Sequence, residues 1–169
     1  MRIREGGPAD VPAVLGMFDS AVAWLVARGR TGQWGERPFT GDPRREAQVR
    51  QWASGGGMRI AEIDGTPAGT VTVGEPPSYV APATRPELYV QALVTDRRFA
   101  GRGVGGALLD WALAEARRRG VELLRVDCYA GDDGRLVRYY ERWGFEREAP
   151  FTVGQWPGMV LRRQVQPAG

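Results

Sequence analysis

The chain has 169 residues, 43% of them hydrophobic and 25% charged, and a net charge of +3. That length supports one substantial core and is too short for two ordinary domains, so residues 1–169 read as a single domain. All 23 basic residues are arginine and lie scattered, which argues against nucleic acid as a partner, and one cysteine with no histidine argues against a disulfide or a bound metal. No apolar run reads as long enough to span a membrane, and Met1 to Asp10 lacks the apolar stretch of a signal peptide, so the expected location is cytoplasmic.

In chain order, Arg2 to Glu5 reads as an edge strand. Pro8 opens a helix through about Arg28, with Val11, Val14, Leu15, Phe18, Val22 and Leu25 on one face. Gly29 to Gly41 is a turn-rich loop carrying Gln33, Trp34 and Phe39. Asp42-Pro43 is an N-cap and N1 pair for a second helix reaching about Ala53. Met58 to Ile63 and Ala68 to Gly74 form a hairpin around Asp64-Gly65, and the proline-rich stretch Glu75 to Pro86 is a loop.

Leu88 to Thr95 is an apolar strand, and it leads through a glycine cluster into a long amphipathic helix that Gly120 ends. Val104, Leu108, Leu109, Ala112 and Ala116 share one arc of that helix, with Leu113 at its edge. Leu123 to Cys128 is a buried strand, parallel to the previous one if the helix is a crossover. Gly131 to Gly134 is a loop, Leu136 to Trp143 a short helix, and Phe145 to Phe151 pairs with Met159 to Arg163. The pattern is that of a mixed α/β domain.

The cluster runs Ala100-Gly101-Arg102-Gly103-Val104-Gly105-Gly106-Ala107. Glycine lets the backbone come close to a ligand, and a helix N-terminus points free N–H groups at one place, so the segment suits a phosphate, with Arg97, Arg98 and Arg102 adding positive potential. On its own the cluster leaves alternatives open. A dinucleotide fingerprint fits by spacing, with Asp127 as the acidic residue ending the next strand, although the strand comes late for a doubly wound sheet. The phosphate loop of nucleotide hydrolases fails because the chain has no lysine, and a plain surface loop is the bland reading.

Leu93-Val94, then Arg98-Phe99-Ala100-Gly101-Arg102-Gly103 in the pattern Gln/Arg-x-x-Gly-x-Gly/Ala, then Ala107-Leu108-Leu109, resemble the pyrophosphate-binding motif of the GNAT superfamily of N-acetyltransferases. Tyr140-Glu141-Arg142-Trp143-Gly144-Phe145 resembles a second motif of that family, in the expected order and at roughly the expected spacing. The resemblance implies a mixed, mainly antiparallel central sheet flanked by helices. It also implies acetyl-CoA as cosubstrate and transfer of its acetyl group to an amine of a small molecule by direct attack.

By that resemblance Leu93 and Val94 lie where backbone N–H polarises the thioester carbonyl. Arg98, Ala100, Gly101, Arg102, Gly103, Val104, Gly105 and Gly106 hold the pyrophosphate, and Tyr140 is the general acid for the leaving thiolate. Asp133 replaces an asparagine common in the family; it can cap the short helix but cannot donate the amide's hydrogen bond when ionised. Glu75, Glu87 and Asp127 are candidates for taking the amine's proton. Trp24, Gln33, Trp34, Phe39 and Tyr79 either line the acceptor pocket or cap the core. A catalytically silent acyl-CoA-binding module is the rival from another class, a nucleotide-binding protein comes third, and a second copy of the chain is an allowed partner.

Overall fold

The computed structural model describes residues 1–167. Its elements are β1 (Arg2–Glu5), α1 (Val11–Val26), α2 (Pro43–Ser54), β2 (Met58–Ile63), β3 (Thr66–Gly74), β4 (Glu87–Thr95), α3 (Val104–Arg119), β5 (Leu123–Tyr129), α4 (Arg135–Arg142), β6 (Glu146–Val153) and β7 (Trp156–Gln164). The strands form one seven-stranded sheet in the order β1-β2-β3-β4-β5-β7-β6. It is mixed and mostly antiparallel, as the resemblance implies. Two compact units share its elements: Met1–Val73 with Ala92–Leu108, and Gly74–Gln91 with the residues from Leu109 on.

In the first unit, β1 pairs antiparallel with β2, and β2 with β3 around a turn in which Asp64 and Gly65 both take positive φ, 50° and 76°. That is the pair of left-handed residues a two-residue hairpin needs. α1 begins after a 3-10 turn at Pro8–Asp10, and α2 starts as its sequence predicts, with the Asp42 carboxylate accepting from Arg44 N at 3.0 Å and Arg45 N at 3.2 Å. The inner side of α1 packs with Val49 and Ala53 of α2, Met58 and Ile60 of β2, and Val94.

The register then fixes what lies on the other face. Ile60, in that core, stands opposite Thr70, and the neighbouring pair Ala61 and Gly69 therefore points away from α1 and α2. A Cβ on Gly69 would come within 2.6 Å of Val104 Cγ1, so the first turn of α3 rests on this second face at a residue small enough to admit it.

Contrary to the sequence expectation, Pro8–Val26 is long and apolar enough to cross a membrane by length and composition, its two aspartates notwithstanding. Its apolar side is taken by the unit's own core: Val14, Leu15, Met17, Phe18, Ala21 and Val22 are all buried. Asp19, on the same helix, ties down the following loop by accepting from Phe39 N at 2.7 Å and Thr40 N at 3.1 Å.

In the second unit, β4 and β5 are parallel from Glu87 opposite Leu123 to Val90 opposite Val126, as a crossover through α3 requires. β5 pairs antiparallel with β7, and β7 with β6. Edge strand β6 is exposed along almost its whole length and is blunted by a register shift between Arg147 and Ala149 and by Pro150. Arg125 on β5 is 3% exposed, with Glu87 at 2.8 Å and Glu148 at 2.7 Å. α3 ends as predicted: Val121 N bonds to Ala116 O and Gly120 N to Arg117 O.

Candidate active site

The glycine segment lies wholly in the first unit. β4 hands over at Asp96, whose N–H bonds to Ala68 O at 2.8 Å and whose buried carboxylate accepts from Arg98 N at 2.9 Å, starting a 3-10 turn over Arg97–Phe99. Gly101 and Gly103 follow with φ of 78° and 75°, a conformation L side chains avoid. The Ala107 N–H bonds to Gly103 O at 3.1 Å, so the N–H groups of Val104, Gly105 and Gly106 precede the helical ladder at the positive end of a 16-residue helix. Such a cradle suits a diphosphate.

Around it, Ala100 and Arg102 are exposed, Gly105 is half-buried, and Gly106 and Val104 are buried, Val104 as a core anchor. Val94 faces the α1 core, and strand alternation turns the half-buried Leu93 to the face that carries the start of α3. Arg98 is exposed and ion-paired. Its guanidinium is clamped by Asp96, with Nε at 3.1 Å and Nη2 at 3.0 Å from the two carboxylate oxygens, so its charge is largely offset. Asp96 itself carries no motif signal; its capping role is legible only in three dimensions.

Tyr140 and Asp133 belong to the second unit. The Tyr140 ring is buried and lies edge-on to Phe145 at 5.7 Å and Tyr139 at 5.3 Å. Burial, with Cys128, Tyr139 and Asp127 near it, raises its pKa well above that of free tyrosine, so the hydroxyl keeps its proton throughout the working pH range. Asp133 does not cap the short helix. Gly134 holds the N-cap position, and Asp133 is instead an exposed residue with φ of 59° whose carbonyl accepts from Arg138. Asp132, Asp133 and Gly134 are all left-handed, and aspartate tolerates that region better than most side chains.

The three carboxylates proposed as proton acceptors separate clearly. Glu87 is the ion-pair partner of Arg125 and also accepts from Ala83 N at 2.6 Å, so it is committed to structure. Glu75 is exposed, and the contact it makes through its carbonyl is to the Gln91 side chain at 2.9 Å. Asp127 at the end of β5 is different. Its Oδ2 accepts from Tyr89 Oη at 2.5 Å, and Tyr79 Oη lies 3.3 Å from its Oδ1. Burial raises its pKa, and the two tyrosine hydrogen bonds oppose that rise only in part. The same neighbourhood pushes the Cys128 thiol up to about 12, mainly through burial, which keeps it inert.

The aromatic residues divide in the same way. Phe39 is buried, stacked on Phe18 at 4.5 Å, and Trp34 stands edge-on to both, so these two cap the first unit's core. Gln33 is half-buried in the same loop. Tyr79 is 53% exposed, stacked on Phe151 at 5.4 Å with its hydroxyl on Asp127. Trp24 carries the Arg97 and Arg28 guanidinium groups at 3.8 and 4.0 Å from its ring centroid.

Residues 24–145 match the model of the acetyltransferase (GNAT) family, and the chain belongs to that family. The family is one of acetyltransferases, whose members work by acyl transfer from an acyl-CoA. Over 128 residues, 75% of its length, the chain is 35% identical to a mycothiol acetyltransferase of Propionibacterium freudenreichii subsp. shermanii. Over 63% of its length it is 29% identical to an uncharacterized N-acetyltransferase of Methanocaldococcus jannaschii. The matched segments span 39% and 45% of those relatives, less than half of each.

Among solved structures it resembles a ribosomal-protein-alanine N-acetyltransferase from Brucella melitensis, with a TM-score of 0.68 at 21% identity, covering 97% of this chain and 99% of that one. That likeness is one of fold. Family membership closes the dinucleotide reading of the glycine cluster, whose acidic residue Asp127 is in any case held by two tyrosines.

Proposed function

We propose that the chain transfers an acetyl group from acetyl-CoA to the amine of a small molecule by direct attack. The observation that carries this reading is the glycine cradle: two left-handed glycines and three helix-start N–H groups in one segment, following an apolar strand. The backbone of Gly101 to Gly106 binds the diphosphate, with exposed Arg102 adding charge. Acetyl-CoA supplies an activated acyl group and a good leaving thiolate. Backbone at Leu93 and Val94 orients the thioester carbonyl, and apolar side chains suffice there because the backbone makes the contact.

Proton movement falls to the second unit. The Tyr140 hydroxyl gives its proton to the departing sulfur, and the Asp127 carboxylate takes one from the amine. Asp127 fills that role better than Glu75 or Glu87 because it is half-buried, is held by tyrosine hydroxyls rather than by an arginine and has a raised pKa. The binding half of the reading is tested by calorimetry with acetyl-CoA on the wild type, Gly103→Ala and Gly103→Glu. The alanine variant reports the cost of a side chain at positive φ, and the glutamate adds a carboxylate where the diphosphate sits. Binding clear in the wild type and lost in Gly103→Glu is the expected result. Absence of binding to the wild type would overturn the reading, and binding without CoA release in the presence of amines would favour the silent module.

A further inference from the structure

We propose that Arg28 and Arg97, stacked on Trp24, bind a carboxylate or phosphate group carried by the acceptor amine. The inference rests on the acetyltransferase reading, which supplies the amine, and it narrows the acceptor to small amines that also bear an anionic group.

The three side chains come together in the first unit. With their guanidinium carbons 3.8 and 4.0 Å from one ring centroid, the like charges stand within about 8 Å of each other. Arg30 adds a third guanidinium 5.8 Å from the same ring. Arg4, Arg98, Arg118, Arg119, Arg125 and Arg147 each sit within 3.3 Å of a carboxylate oxygen, whereas Arg28, Arg30 and Arg97 have no carboxylate partner among the described residues. Arg97 Nε is buried without a hydrogen-bond acceptor. Part of the clustering is explained by the C-terminal end of α1, where Arg28 donates to Trp24 O at 3.3 Å. The helix end does not explain Arg97, which reaches the indole from the turn after β4 and is destabilised there by burial and by Arg28. A guanidinium whose Nε is buried without an acceptor, beside a second cation, suits an anion.

Position argues which anion. Arg97 lies three residues beyond Val94 and turns to α1, on the face of the sheet opposite the one on which the start of α3 rests. The cradle for the cofactor's diphosphate is built from the start of α3, so an anion held by Arg28 and Arg97 approaches from the other side of β4. A substituent on the acceptor meets that requirement; the cofactor's own 3′-phosphate is the second source of the same chemistry.

The test needs no turnover. Protein saturated with CoA is titrated with O-phosphoethanolamine, β-alanine and ethanolamine, and the arginine Nε–Hε resonances are followed by NMR. The expected result is that the Arg97 and Arg28 signals move with the two anionic amines and not with ethanolamine. The affinity for O-phosphoethanolamine should fall at least tenfold in Arg28→Gln, an exposed position that does not threaten folding, and in Arg97→Gln. In parallel, acetyl-CoA and its 3′-dephospho form are titrated by calorimetry into wild type and both variants, with no change expected between proteins. Equal response to charged and neutral amines overturns the proposal. So does a loss of acetyl-CoA affinity in the variants that the dephospho form does not show, which would give the pair to the cofactor. Failure of the wild type to bind acetyl-CoA would remove the acetyltransferase reading while the anion response of the arginines still stood or fell on its own titration.

Discussion

The two halves of the proposed chemistry are built from different materials. In the first unit the cradle is backbone: N–H groups of Val104, Gly105 and Gly106, presented by glycines at 101 and 103 and anchored by the Val104 side chain against Gly69. In the second unit the groups proposed to handle protons are side chains, Tyr140 and Asp127, tuned by what surrounds them. Backbone sites leave a signature in sequence because they dictate residue types at fixed spacing. Side-chain sites tuned by burial do not, because any tyrosine or aspartate looks alike until its neighbours are known.

The contrast is broken hardest at Tyr140. If its hydroxyl is the proton donor, Tyr140→Phe should lower kcat by about 10³-fold, within the usual range for general acid catalysis, with acetyl-CoA affinity unchanged. Steady-state CoA release and calorimetry on the same preparation check both halves. A fall in kcat matched by a fall in thermal stability would instead make Tyr140 a core aromatic, as its packing on Phe145 also allows.

At the cradle the smaller of two substitutions sharpens the same point. Gly103→Ala should weaken acetyl-CoA modestly, about tenfold or less, through the cost of positive φ alone. Gly103→Glu should weaken it by about 100-fold, since it also puts like charge against the phosphates. Equal effects in the calorimeter would mean that backbone shape rather than charge dominates there.

This division also explains what was legible beforehand. The Asp42 cap, the Asp64-Gly65 hairpin turn, the Gly120 helix end and the glycine segment all follow from local rules, and each stands where those rules put it. The parallel β4–β5 pair follows from the crossover, whereas the insertion of β7 between β5 and β6 follows from no local rule. Asp133 misled because a carboxylate before a short helix reads as a cap, and left-handed backbone over Asp132 to Gly134 hands that position to Gly134 instead. The ion pair of Arg98 was not legible because its partner, Asp96, lies outside the glycine pattern. Asp127 could not be chosen over Glu87 until Arg125, nothing more than a charge inside an apolar strand in the sequence, was seen to occupy Glu87.

Asp127 offers a test in which rate and stability move in opposite directions. Burial raises its folded-state pKa above the unfolded value, so ionisation is penalised in the folded chain at neutral pH, and the penalty fades as pH falls below the raised pKa. Asp127→Asn keeps an oxygen for the tyrosines and removes the charge. It should slow turnover by about 10- to 100-fold and abolish the acidic limb of the kcat/KM profile. Near pH 7 it should also stabilise the fold in urea melts, with the gain vanishing in acid. A variant that is both slower and less stable at pH 7 would place Asp127 in the framework with Tyr89 rather than in the chemistry.

The smallest effect lies at the far end of α3, where the same helix that starts as a backbone site finishes as a side-chain one. Glu115 is buried and ion-paired to Arg118 and, at 3.0 Å, to Arg119, and these hydrogen-bonded partners hold its pKa down at about 2. A depressed carboxylate pKa stabilises the fold above the unfolded value near 4.5 and ceases to do so as pH falls toward 2. Because the arginines are 71% and 41% exposed, solvent screens most of the attraction, and Glu115→Gln should cost only about 1 kcal/mol at pH 7. That loss should shrink to nothing between pH 4.5 and 2 in denaturant titrations, and acetyl-CoA affinity should stay at the wild-type value throughout, since the cradle at Val104 to Gly106 draws on the helix's first turn and not on its last.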